Sequence, residues 1–214
     1  MFRASRSRLE KYVVDLDDAA FQLLFALWAA ADKGHDGWYP VVLPQAKMLL
    51  LPGSQESTRR GRSSIARTIR KLKKPEAPLL RLVRECVLPS AAGPGLAAKH
   101  QVIAPFAHDP ASGAQLPELV RFARAVQRRM LDELHPRALR ILVWLLATRR
   151  PDEPFKVSTA EIAKALRGKR DRDAPHLADL GTHGWLKIVE PSDGSLRRPG
   201  FYLLGGAFGG NAVE

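Results

Sequence analysis

GWLKIVEPSDGSLRRPGFYLL, residues 184–204, decides how the whole chain is read. Two apolar runs, 185–189 and 200–204, flank a segment that contains Pro191, Asp193, Gly194 and Pro199, which is the pattern of two strands joined by a turn. Just upstream, Pro175 suits the first turn of a helix running to about Thr182, with Leu177 and Leu180 inward. Ser158, with Glu161 three residues on, makes a capping box that opens a helix over 159–166. Residues 155–157 read as a short strand. Before them, 137–150 form an apolar helix with Leu139, Leu142, Val143 and Leu146 in helical register, led by His135 and Pro136 and stopped by Pro151.

A similar order occurs earlier, although the residues barely match. Asp17 or Asp18 can cap a helix over 19–31 whose Phe21, Leu24, Phe25 and Trp28 fall at i, i+3, i+4 and i+7, with Gly34 and Gly37 ending it. Residues 38–43 are extended, and Pro44 starts a small helix through Leu51 that Pro52 and Gly53 close. A third helix spans 61–74, with Ile65, Ile69 and Leu72 on one face and basic residues on the other. A strand over 79–88 and its partner over 99–105 enclose a loop, 89–98. Helix, helix, basic helix and hairpin is the order of a winged helix. The expected fold is therefore mainly α with small β-hairpins (α+β), with two winged-helix domains in tandem. The boundaries read from the sequence are a basic N-terminal arm at 1–11, a first winged helix at 12–110, a linking helix within 111–135, a second winged helix at 136–204 and a flexible tail at 205–214. The linking helix, 117–134, would carry Leu119, Phe122, Val126 and Met130 on one stripe.

Composition narrows the function. The 214 residues allow one ordinary domain or two small ones. Lys and Arg number 34 against 22 Asp and Glu, a net charge of +12, which calls for a polyanionic partner. One cysteine, Cys86, excludes an internal disulfide and a thiolate zinc site, and fits a cytoplasmic location. The apolar runs 19–31 and 138–147 fall short of the roughly 20 residues of a membrane span. Acidic Glu10, Asp15, Asp17 and Asp18 stand where a secretion signal needs apolar residues. There is no phosphate-binding Gly-rich loop ending in Lys and Ser or Thr. No closely spaced histidine pair suits a metal or a nicking centre, and Asp171, Asp173 and Asp179 lack the glycine and final Glu of a calcium loop. No catalytic residue, cofactor or metal is expected, and Asp171, Asp173 and Asp179 are better explained by helix capping and neutralisation of nearby arginines.

The residues that would meet a polyanion fall in three groups. The first is Arg59, Arg60, Arg62, Ser63, Ser64, Arg67, Arg70, Lys71, Lys73 and Lys74, a window with no acidic residue. Burying Ile65, Ile69 and Leu72 would turn Ser63, Ser64, Arg67, Arg70, Lys71 and Lys74 outward, and a helix carrying such side chains fits a major groove. The second is Arg170 and Arg172, with Arg167 and Lys169 beside them, and Arg197 and Arg198 at the tip of the last hairpin. The third is Arg3 and Arg6 in the arm, suited to a minor groove. The plain alternatives are a solvated basic helix for the first group and a solubilising tail for the third.

ALRILVWLLATRRPDEPFKVSTAEIAKAL (138–166) followed by GWLKIVEP (184–191) resembles the second winged helix of plasmid replication initiator (Rep) proteins of the iteron-binding type. DLDDAAFQLLFALWAAA (15–31) with SSIARTIRKL (63–72) is similar in plan to their first, so the resemblance covers about residues 12–204. It implies a sequence-specific double-stranded DNA-binding protein, active in replication initiation or in transcription regulation of a mobile element and located on the nucleoid or a plasmid. Its further partners would be a second copy of itself or replication and transcription proteins. The departure is the third helix of the second unit, where Asp173, His176, Asp179 and His183 make poor groove readers, so the first unit is expected to read the sequence. The rival is a winged-helix scaffold for protein interaction, touching DNA without sequence preference.

Overall fold

Along the chain the elements are β1 (Phe2–Ser5), α1 (Arg6–Asp15), α2 (Asp18–Ala30), β2 (Trp38–Val41), α3 (Thr58–Leu72), β3 (Leu80–Ser90), β4 (Gly93–Ile103), β5 (Leu119–Phe122), α4 (Arg124–Glu133), α5 (Pro136–Thr148), β6 (Phe155–Val157), α6 (Thr159–Ala165), α7 (Arg170–Thr182), β7 (Leu186–Glu190), β8 (Gly200–Leu204) and a 3-10 turn (Gly206–Phe208). The computed structural model describes residues 2–31, 38–41, 43, 50, 58–74, 79–90, 93–104, 119–190 and 200–208, with the backbone alone described at 58–64, 82–90 and 93–99. The fold is α+β, helices with small antiparallel sheets. It divides into two compact units: Met1–Asp18 with Gln115–Glu214, the terminal unit, and Ala19–Ala114, the inserted unit. Each contains a three-stranded antiparallel sheet of the same topology, β2-β4-β3 in one and β6-β8-β7 in the other, so that an early short strand pairs with the last strand of a later hairpin.

The terminal unit is built on α5, whose residues from Arg137 to Ala147 are all buried. Pro136 starts it where a missing N–H costs nothing, and His135 caps it by accepting the Arg137 N–H at Nδ1, 3.2 Å away. Helix α1 packs on α5, α5 on α7, and α7 on α6. Helix α7 ends by a left-handed residue, Gly184 (φ 72), with the Trp185 N–H bonding to the Leu180 carbonyl and the Gly184 N–H to that of Gly181. This turn feeds Trp185 into the core, where it meets Phe208, while Phe208 in turn meets Phe122, and Phe122 stacks on Phe2.

In the inserted unit, α2 past Asp18 is apolar but for Gln22 and buried from Leu23 to Ala29, and Trp28 Nε1 donates to the Ile103 carbonyl at 2.7 Å, fixing α2 to β4. The end of α3 is tied to the sheet through the Leu79 N–H, which bonds to the Leu72 carbonyl at 2.8 Å.

Several expectations are corrected. The arm expected at 1–11 is not free, since Phe2, Ala4 and Ser5 are buried in β1 and Leu9 in α1, and Tyr12 and Val13, expected in the first winged helix, continue α1 in the terminal unit. The linking helix is a strand followed by a shorter helix, because Val120 and Phe122 are buried with Arg121 exposed between them, a period of two. The loop expected at 89–98 is mostly strand, paired out to Ser90↔Gly93. Its glycines and alanines have low strand preference, yet the backbone bonds of a hairpin do not need side chains to form. Pro175 lies inside α7, not in its first turn, because the helix starts earlier, at Arg170, with Asp171 and Asp173 in the first turn. The Ser158 hydroxyl accepts the Glu161 N–H as expected, but the Glu161 carboxylate turns to Arg149, so the capping box is half made. The start of the expected tail is anchored, with Phe208 buried. The helix read at 44–51, the stop at Gly34 and Gly37, the boundary loop 107–116, Arg197 and Arg198, and residues 209–214 lie, wholly or nearly so, outside the described residues. Among the described residues no helix is long and apolar enough to cross a membrane.

Candidate nucleic-acid interface

Helix α3, TRRGRSSIARTIRKL, carries no acidic residue, and Arg70 and Lys71 in its last turn complement the helix dipole. Thr68 and Leu72 are buried and Ile65 and Ile69 half-buried, which fixes the inner face. Arg67, Arg70, Lys71 and, just past the helix, Lys74 are exposed. Among the described residues no carboxylate pairs with Arg67, Arg70 or Lys74. Arg59, Arg60, Arg62, Ser63 and Ser64 lie in the helical backbone, and helical spacing sets positions 60, 63 and 64 on the side of 67 and 71. Their side chains are outside the described residues.

Lys73 departs from the expected face. It is half-buried and its Nζ donates to His100 Nε2, 3.0 Å away on β4, so its ammonium belongs to the helix–sheet junction. Arg81, not among the residues expected to meet a polyanion, is an exposed residue of β3 whose Nε donates to Gln101 Oε1 at 2.9 Å and whose guanidinium lies 4.2 Å over the Trp38 ring. The signal that could have found it is alternation: Leu80 is buried and Arg81 exposed.

The terminal unit holds a second basic cluster between α6 and α7. Helix α6 ends with Arg167 in the left-handed region (φ 51), where the Gly168 N–H reaches back to the Ala163 carbonyl at 2.8 Å. Arg167, Lys169, Arg170 and Arg172 are all exposed there. Asp173, expected on the groove side of this helix as a poor reader, is fully buried. Arg137 donates to both its oxygens, at 2.7 Å and 3.0 Å. Burial opposes the Arg137 charge, but the bonds and charges of Asp173 and Asp18 outweigh it and hold the guanidinium above its ordinary pKa. Asp171 remains exposed among the cations, as the one acid on that surface of the first turn. Of the arm residues, Arg3 is exposed on β1, whereas Arg6 is half-buried and its Nη1 donates to the Arg149 carbonyl at 2.8 Å. The structure thus brings Arg67, Arg70, Lys71 and Lys74 together in one unit and Arg170 and Arg172 together in the other.

Comparison of the chain with family models, with curated proteins and with solved structures found no match.

Proposed function

We propose that the chain is a sequence-specific double-stranded DNA-binding protein made of two winged helices in tandem, serving as a replication initiator or as a transcriptional regulator of a mobile element, on the nucleoid or a plasmid. The observation that carries this reading is α3: an acid-free helix with a buried face of Thr68 and Leu72, an open face of Arg67, Arg70, Lys71 and Lys74, and a hairpin directly after it. The shared topology of the two three-stranded sheets supports the tandem. Strand, then helix, then hairpin follow one another in both units, and in the inserted unit α3 would be the groove reader and the hairpin after it the wing. Arginines on α3 would take guanine edges and Lys74 phosphate, with no catalytic step and no cofactor. The test is selection of bound duplexes from a random pool, followed by salt titration on the winner. A reader enriches one motif, and its log affinity falls steeply with log salt.

The rival, a docking module, is favoured by one observation: Ile188 and Val189 on the edge strand β7 are 47% and 46% exposed. A protein whose main role is docking would bind the pool without enriching a motif.

A further inference from the structure

The two-stranded sheet of the terminal unit contains a pairing that folding alone does not explain. Strands β1 and β5 run antiparallel in the register Phe2↔Phe122, Arg3↔Arg121, Ala4↔Val120 and Ser5↔Leu119. Phe2, Ala4, Val120 and Phe122 are buried, and the Phe2 and Phe122 rings stack with centroids 4.6 Å apart. Alternation turns Arg3 and Arg121 to the other face, where both are exposed. Residues directly opposite across such a pair have Cβ atoms about 4.5–5.5 Å apart, and like charges there destabilise the sheet.

Elsewhere in this unit several arginines are given a carboxylate, and half-buried Arg6 is given the Arg149 carbonyl. Arg137 has Asp173 and Asp18, Arg140 has Asp18, Arg149 has Glu161, Arg129 has Glu133 and Arg150 has Glu153. Neither FRAS nor LVRF contains an acid, and among the described residues no carboxylate pairs with Arg3 or Arg121. Two exposed cations in register, with no carboxylate between them, can share one anion. A guanidinium presents a planar fork of donors suited to phosphate oxygens, and two forks side by side can take different oxygens of one group.

We infer that Arg3 and Arg121 together hold one phosphate group, supplied by the backbone of a DNA duplex. The duplex as occupant follows from the +12 charge of the chain, and this step rests on the duplex-binding reading above. The contact positions the terminal unit on the duplex and carries no sequence information. Bound phosphate removes the repulsion that the free sheet endures.

The experiment uses the full chain and compares wild type with Arg3→Gln, Arg121→Gln, their double variant and Arg121→Glu. Affinity for mixed-sequence duplexes is followed against salt, and melting temperature is read without DNA. The double variant should lower the slope of log affinity against log salt by about 0.9, one phosphate, equally on every sequence. Its melting temperature should be unchanged or higher. Arg121→Glu should melt higher, since it faces Arg3, and yet bind duplex more weakly. Unchanged binding in the double variant overturns the inference, and so does a lower melting temperature of Arg121→Glu, which would assign the pair to folding. If wild type binds no duplex at all, the duplex-binding reading falls. The pair is then judged by titrating inorganic pyrophosphate and following the arginine Nε–Hε resonances. Shifts at Arg3 and Arg121 retain a phosphate site, and their absence overturns it.

Discussion

Asp173 and Arg137 form a buried bidentate pair, and Asp18 joins Arg137 to Arg140 from the other side, at 3.3 Å and 2.8 Å. Arg140 also donates through Nε to the Val13 carbonyl at 2.7 Å, so two cations in an apolar helix find carboxylates and carbonyls around them. Asp173→Ala leaves the Arg137 charge buried without its main partner, and should cost about 3–5 kcal/mol in urea unfolding. Replacing both residues by apolar ones of similar volume should cost less than that single change. A β-carbon at Gly168 would collide with Arg137 Nη2 and lie 2.8 Å from Asp173 Oδ2, so Gly168→Ala should destabilise through the same pair. Acid should act nearby. The rings of His135 and His176 stack with centroids 4.7 Å apart. Burial pushes His176 below its ordinary pKa, the charges of His135 and Arg137 push the same way, and Asp173 and Asp179 oppose them. The unfolded chain therefore takes up this proton first. The stability is complete above about pH 6.5 and is lost as pH falls toward the lowered folded value. Urea midpoints measured from neutral pH to about pH 5 should fall in wild type and fall less in His176→Gln. None of this was legible in the sequence, where Asp173 reads as one acid among surface cations. Its burial depends on Arg137, 36 residues away, and no local pattern records that contact.

At the scale of the element, α3 was readable because its apolar period and its charge agree, with Leu72 buried and Arg67, Arg70, Lys71 and Lys74 exposed. Arg67→Ala or Arg70→Ala should cost about 1–3 kcal/mol on the preferred duplex and flatten sequence preference, while Lys74→Ala should weaken all duplexes alike. Lys73→Ala should instead lower thermal stability and leave duplex affinity nearly untouched, because its ammonium is bonded to His100 on the sheet. Equal binding losses for the arginines and Lys74 would reduce the helix to an electrostatic patch. The segment 117–134 shows why other elements were not legible. Leu119, Phe122, Val126 and Met130 fit a helical stripe, but Val120 and Phe122 also fit a strand, and only pairing with β1 decides between them. That partner is distant in sequence and lay in a stretch whose density of Arg and Lys hid the Leu9, Tyr12 and Val13 face of α1.

At the scale of the molecule, the terminal unit is assembled from both ends of the sequence, with Ala19–Ala114 between its two pieces. A fragment of residues 111–214 lacks the strand that pairs with β5, the Val13 and Val14 carbonyls and the Asp18 carboxylate that receive Arg140. It should show little cooperative unfolding by circular dichroism, and joining residues 1–18 to 115–214 through a short flexible linker should restore it. Failure of the joined form to fold would refute this partition. The partition also bears on how the protein is made. The first eighteen residues leave the ribosome long before their partners, because all of Ala19–Ala114 must be synthesised in between, on the order of 5–20 s at about 5–20 residues per second. Residues 19–114 are thus free to fold while 1–18 wait, with Phe2, Leu9 and Val13 without their partners until 115–208 emerge. A product of translation interrupted before Gln115 would keep those side chains in water, available to chaperones and proteases.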